Sequence, residues 1–69
     1  MYEKLDARGL SCPEPVIMIR KAMASKDNVY EMLVDNQTSK ENVTRYAEHQ
    51  GYQVSVTENG EEYLLTMKK

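Results

Sequence analysis

The hydrophobic and polar positions of the chain fall into short segments whose period changes from one to the next. Residues 3–7 (Glu-Lys-Leu-Asp-Ala) alternate and predict a short first strand with Leu5 and Ala7 on one face. Gly9 marks the loop that follows, and a helix is expected to open at Pro13, because proline suits a first helical turn. Val16, Ile19 and Met23, joined by Ile17 and Ala22, give that helix an apolar side. Arg20, Lys21 and Lys26 gather toward its C-terminal end, where cations complement the dipole, and Asp27-Asn28 closes it. Residues 29–34 (Val-Tyr-Glu-Met-Leu-Val) form the best strand candidate, stopped by Asp35-Asn36. Thr38-Ser39-Lys40-Glu41 reads as a capping box opening a second helix with Val43, Tyr46 and Ala47 as its buried stripe. Gly51 is that helix's stop. Residues 52–58 and 61–67 then alternate as strands around Asn59-Gly60, the strongest short hairpin signal.

The predicted order is β-α-β-α-β-β. Such a chain buries one common core when two helices cover one face of a four-stranded mixed sheet. The fold class expected is therefore α+β, a two-layer α/β sandwich. No linker, repeat or composition shift divides residues 1–69, so one domain is expected.

Composition narrows the function classes. Hydrophobic residues are 41% and charged residues 29%, the balance of a globular chain. A domain this short buries only about 60% of its unfolded surface, which leaves no room for a deep cleft under a lid. Any chemistry must lie near the surface or be shared with a partner. The net charge of -2 argues against direct nucleic-acid binding, which calls for a concentrated basic face. No apolar run approaches the roughly 20 residues that span a bilayer, and the mixed, acidic start has no signal-peptide pattern. A single cysteine excludes an internal disulfide and the multi-cysteine zinc patterns. A reducing, cytoplasmic setting without a metal is expected.

Most free cysteines are small buried hydrophobes. Cys12 differs in its context, Cys12-Pro13-Glu14-Pro15. Placed immediately before Pro13, it is expected at the N-cap of the first helix, where the positive end of the dipole stabilises a thiolate. Its pKa is expected to fall below the roughly 8.5 of a free cysteine. Pro13 and Pro15 each remove an N–H from the first turn, leaving that of Glu14 to face the sulfur. The Glu14 carboxylate opposes the shift, which keeps it modest. A structural cap would use Ser, Thr, Asp or Asn, so sulfur in this place points to sulfur chemistry. A protease-like cysteine needs a histidine as base, but His49 falls near the far end of the second helix. Arg8 either favours an anion on Cys12 or pairs with Asp6. An activated thiol without a base suits attack on sulfur, since thiol exchange needs a nucleophilic thiolate and access.

The run Asp6-Ala7-Arg8-Gly9-Leu10-Ser11-Cys12-Pro13-Glu14-Pro15 resembles the signature of the TusA/SirA family of small sulfur-carrier proteins. The resemblance covers essentially the whole chain and implies a two-layer α/β sandwich. It implies that Cys12 accepts sulfane sulfur from a cysteine desulfurase or other donor protein and relays it as a persulfide to an acceptor protein. The carrier itself needs no cofactor, pyridoxal phosphate belonging to the desulfurase. Pro13, Glu14 and Pro15 would shape the site, with Asp6, Arg8 and Gly9 in support. Val34-Asp35-Asn36 and residues 40–52 resemble the YedF-like branch, which is linked to selenium metabolism and often carries a second, DsrE-like domain. Two other readings compete with the carrier. One is a non-catalytic interaction module in which the thiol is incidental; the other is a redox sensor that forms an intermolecular disulfide. The surface that docks on larger partner proteins is expected around Cys12, including Arg8, Leu10 and the first helical turn.

Overall fold

The computed structural model describes residues 3–10, 13–25 and 27–69. The elements are β1 (Glu3–Asp6), α1 (Glu14–Met23), β2 (Val29–Val34), α2 (Gln37–His49), β3 (Gln53–Asn59) and β4 (Glu62–Lys68). The strands form one mixed sheet in the order β1-β2-β4-β3. β1 runs parallel to β2, with Leu5 beside Met32, while β4 pairs antiparallel with both β2 and β3. This is the predicted α+β architecture.

β2 is central, and its period of two decides the layering. Tyr30, Met32 and Val34 point to one face and are fully buried. Met67 and Leu65 lie opposite Tyr30 and Met32 across the β2–β4 ladder, also fully buried. Ile19 of α1 and Val43 and Ala47 of α2 close the same cluster, so both helices cover one face. The other face carries Lys4, Asp6, Ser55, Thr57 and Thr66 around half-buried Leu33 and Leu64.

The helix ends differ from the expectations in instructive ways. α1 begins at Glu14, with Pro13 as the N-cap residue (φ -100°, ψ 15°), one residue later than predicted. The backbone at Pro13 is not helical, so the cap position falls on Pro13 and not on Cys12. Cys12 and Ser11, the intended cap and its neighbour, lie outside the described residues, as does Lys26 of the basic cluster. α1 also stops at Met23, short of Asp27. The Tyr30 hydroxyl reaches across from β2, donating to the Ala22 carbonyl (2.9 Å) and accepting from the Asp27 N–H (3.0 Å). A buried tyrosine thus satisfies backbone groups that a longer helix would have paired internally.

α2 begins two residues before the predicted capping box. Asn36 is its N-cap, and its Oδ1 accepts from the Ser39 N–H at 2.7 Å. Asn serves as well as Ser or Thr at this position. The other end is as expected: Gly51 takes φ +92°, the Tyr52 N–H donates to Ala47 O and the Gly51 N–H to Glu48 O. These two bonds are a Schellman motif, which needs a left-handed residue at Gly51. The β3–β4 hairpin is offset by one residue from the prediction. Asn59 pairs with Glu62, so the two-residue loop is Gly60-Glu61, with Gly60 at φ +67° in the first loop position.

Tyr30→Phe keeps the ring in the core but strips the hydroxyl from the Asp27 N–H, while Ala22 O keeps its bonds from the Ser25 N–H and Oγ. It should cost about 1 kcal/mol, the lower end of the penalty for a donor left unpaired, because the Asp27 N–H is only part-buried. A urea titration should show a lower midpoint with an unchanged slope.

Candidate functional site

The segment that leads to α1 is held by carboxylates on both sides. After β1 the chain turns at once, the Leu10 N–H donating to the Ala7 carbonyl at 3.3 Å. Arg8 and Gly9 are the central turn residues, and Gly9 takes φ +80°, as position i+2 of a type II turn requires. The Gly9 N–H donates to Asp35 Oδ2 at 2.8 Å. Asp35 directly follows β2, so the ends of two parallel neighbours are tied together. Its other oxygen accepts from the Asn36 side-chain amide at 3.2 Å, linking the turn to the cap of α2.

Arg8 closes a second clamp. Its Nε donates to Asp6 Oδ1 (3.0 Å) and its Nη2 to Asp6 Oδ2 (2.9 Å), a bidentate pair. The Arg8 backbone N–H adds a bond to Asp6 Oδ1 at 3.1 Å, and Nη1 reaches Glu62 Oε2 at 3.2 Å. Of the two roles open to Arg8 in the sequence, pairing with Asp6 is the one the geometry displays, with Glu62 added. The Arg8 guanidinium, and after it the Arg8 N–H, lowers the Asp6 carboxyl from an ordinary 3.8 to about 2. The same two carboxylates raise the Arg8 pKa further.

The start of α1 divides its prolines between two environments. Pro13 and Glu14 are exposed, whereas Pro15 is fully buried. Pro13 still supplies a carbonyl to the first helical bond, from the Ile17 N–H at 3.0 Å. Among the cap and first-turn positions, residues 13–16, only Glu14 and Val16 carry an N–H. Both belong to the helix end next to Cys12 in sequence. A shallow groove of about 310 Å³, lined by Leu10, Glu14, Ile17, Met18 and Lys21, runs along the outer side of α1 from there.

The structure therefore gathers Asp6, Arg8 and Gly9 into one clamped turn and sets Pro13, Glu14 and Pro15 at the head of α1. Cys12, between them in sequence, lies outside the described residues. His49 ends α2 and is exposed. Asp35 and Glu62 are site residues that the sequence reading did not find. Asp35 was read as a strand stop and as part of the Val34-Asp35-Asn36 resemblance, not as a partner of the turn, although parallel pairing of β1 and β2 would have brought their ends together. Glu62, 54 positions from Arg8, carried no local signal. Among the described residues no three His, Cys, Asp or Glu side chains are grouped as metal ligands. No helix there is long and apolar enough to cross a membrane.

The pH dependence of the clamp follows from its sign. A carboxyl whose folded pKa is depressed adds stability above its ordinary pKa, and that stability is lost as the pH falls through the folded value. The window for Asp6 is therefore from 3.8 down to about 2. Carboxyl titration followed by NMR should show Asp6 returning toward its ordinary value in Arg8→Ala. In the same window the urea midpoint of the wild type should fall more than that of Asp6→Asn.

Comparison with known proteins agrees with this architecture. A crystal structure of a SirA-like protein from Desulfitobacterium hafniense superposes with a TM-score of 0.87 at 34% identity, covering 96% of this chain and 95% of that one. A Methanocaldococcus jannaschii protein bearing the name "Putative sulfur carrier protein" is 36% identical over 70 residues, which cover 97% of this chain and 93% of that protein. Residues 3–69 match the family described as Sulfurtransferase TusA, and the chain belongs to that family.

Proposed function

We propose that Cys12 is the sulfur-carrying residue, and that the protein relays sulfane sulfur between a donor protein, such as a cysteine desulfurase, and an acceptor protein. The observation that carries this reading is the position in sequence of the chain's one cysteine, between the residues of the carboxylate-clamped turn and those of an exposed helix start. Membership of the TusA family supports it. The reaction is an exchange without net oxidation. The Cys12 thiolate attacks the outer sulfur of a donor persulfide, R–S–SH. A new S–S bond forms to Cys12, the donor S–S bond breaks, and R–S⁻ leaves. An acceptor nucleophile then attacks the outer sulfur on Cys12, and the Cys12 thiolate is released.

The residues of the site take distinct roles. Pro13 and Pro15 leave the first turn few backbone donors and little freedom, with Pro15 anchoring it in the core. Glu14 supplies an N–H toward an anion and a carboxylate that limits the pKa shift. Asp6, Arg8 and Gly9 set the path of the chain into the motif. Donor and acceptor dock over Arg8, Leu10 and the first turn of α1, where the groove along Leu10, Ile17 and Met18 offers apolar contact. The carrier works as one domain in a reducing, cytoplasmic compartment, without a cofactor of its own. Selenium traffic in the manner of the YedF-like branch would use the same displacement, with a selenium atom in place of the transferred sulfur.

Incubation with a cysteine desulfurase and cysteine should add about 32 Da, one sulfur atom, to the peptide containing Cys12. The gain should vanish on reduction and be absent from Cys12→Ser. Partner binding without an adduct would leave an interaction module. A disulfide-linked dimer formed under mild peroxide, again without an adduct, would make the protein a redox sensor.

The activated thiol has its own test, the pH profile of iodoacetamide alkylation. The midpoint for Cys12 should lie below the roughly 8.5 of a free cysteine, though not far below, because exchange is fastest when the thiol pKa is near ambient pH. A midpoint at or above that of free cysteine removes the case for activation.

A further inference from the structure

The two edges of the sheet are built differently. β1 is four residues long, carries Lys4 and Asp6, and runs straight into the Arg8 clamp, features that blunt an edge. β3 is seven residues long and, among the described residues, pairs on one side only, with β4. Its run Gln53-Val54-Ser55-Val56-Thr57 holds no charge, proline or glycine. Val56, at 43% exposure, is the exposed large hydrophobic residue among those described. Such an edge presents a row of backbone groups ready to pair with another strand.

What lies beside this edge selects the occupant. Val56 shares a groove of about 360 Å³ with Lys40, Glu41, Thr44, Arg45 and Glu48, one stripe along the outer side of α2. Lys40 and Glu48 carry opposite charges four positions on either side of Thr44. Lys40 and Glu41 precede it; Arg45 and Glu48 follow it. Among the described residues Arg45 and Glu48 have no ion-pair partner, and the buried Thr44 Oγ1 has no hydrogen-bond partner. Lys40 holds its ammonium 4.9 Å above the Tyr63 ring, which leaves its charge uncompensated.

We propose that β3 is a self-association edge, which pairs antiparallel with β3 of a second copy about a two-fold axis beside Val56 and Thr44. The two sheets then form one eight-stranded sheet. Val56 meets Val56 of the second copy, and Ser55 falls opposite Thr57. The two α2 helices lie antiparallel above the junction, so Lys40 faces Glu48 of the second copy on both sides of the axis. A two-fold axis needs a surface complementary to itself, and the opposite charges of Lys40 and Glu48 about Thr44 supply one. The Arg8 turn and the head of α1, which belong to the β1 side, stay uncovered at both ends of the assembly.

The test is sedimentation of the full chain under reducing conditions as its concentration rises into the millimolar range. A species of twice the 8.0 kDa chain mass is expected to appear. Val56→Lys, which sets like charges opposite each other, should raise the dissociation constant by roughly tenfold or more with the fold intact. Glu48→Lys should weaken association, and adding Lys40→Glu should restore it, a rescue that a purely structural effect would not give. A chain that stays monomeric throughout overturns the proposal, as does a dimer insensitive to these changes. A monomer whose β3 amide signals shift only on adding an extended peptide also overturns it, and assigns the edge to peptide binding.

Discussion

The parallel pairing of β1 with β2 is the constraint on which the rest of the molecule depends. Parallel neighbours cannot be joined by a hairpin; the chain must cross back over one face of the sheet. α1 is that crossover, and it must cover the face that β2 fills with Tyr30, Met32 and Val34. The pairing also places the ends of both strands at the same edge of the molecule. Residues 7–10 and the Asp35-Asn36 segment meet there, and the Gly9–Asp35 bond forms because the topology leaves these groups nowhere else to be. The turn into α1 is thus fixed by the sheet as well as by its own sequence.

Burial patterns were the most readable part of the sequence. β2 alternates over all six of its residues, and its limits were predicted without error, because alternating apolar residues are forced by a one-sided core. Val43 and Ala47, at helical spacing, were read as buried for the same reason. Boundaries were less readable, since several residues compete for each one. Asn36 and Thr38 are both good caps, and the choice fell to Asn36, which follows β2 closely enough to start α2 at once. The hairpin shows the same competition: Gly60 was identified as the turn residue, but the β3–β4 ladder, not the dipeptide, sets the register. α1 ended early through Tyr30, a long-range partner invisible to any local pattern. The candidate site follows suit. Asp6, Arg8, Gly9 and the prolines were legible as a contiguous motif. Asp35 and Glu62 were not, because the bonds that recruit them exist only once the sheet has formed.

The electrostatics of the Arg8 clamp bear on how sulfur chemistry could work here. Arg8 is the nearest cation in sequence to Cys12, and at first sight the natural source of a field that favours an anion. In the folded protein it is shared between Asp6 and Glu62, so the trio carries one positive and two negative charges. With Asp35 on one side and Glu14 on the other, the chain around the motif is negative on balance. Arg8 therefore brings no net positive charge of its own to the turn. The favourable field must then come from the backbone N–H groups at the head of α1, of which the prolines leave those of Glu14 and Val16. On the proposed reading, few donors within a negative surround would give a Cys12 thiolate only a small net stabilisation. That is the balance sulfur relay asks for: a thiolate stabilised enough to form near neutral pH, yet not so far that it loses nucleophilicity or holds the outer sulfur against the next acceptor.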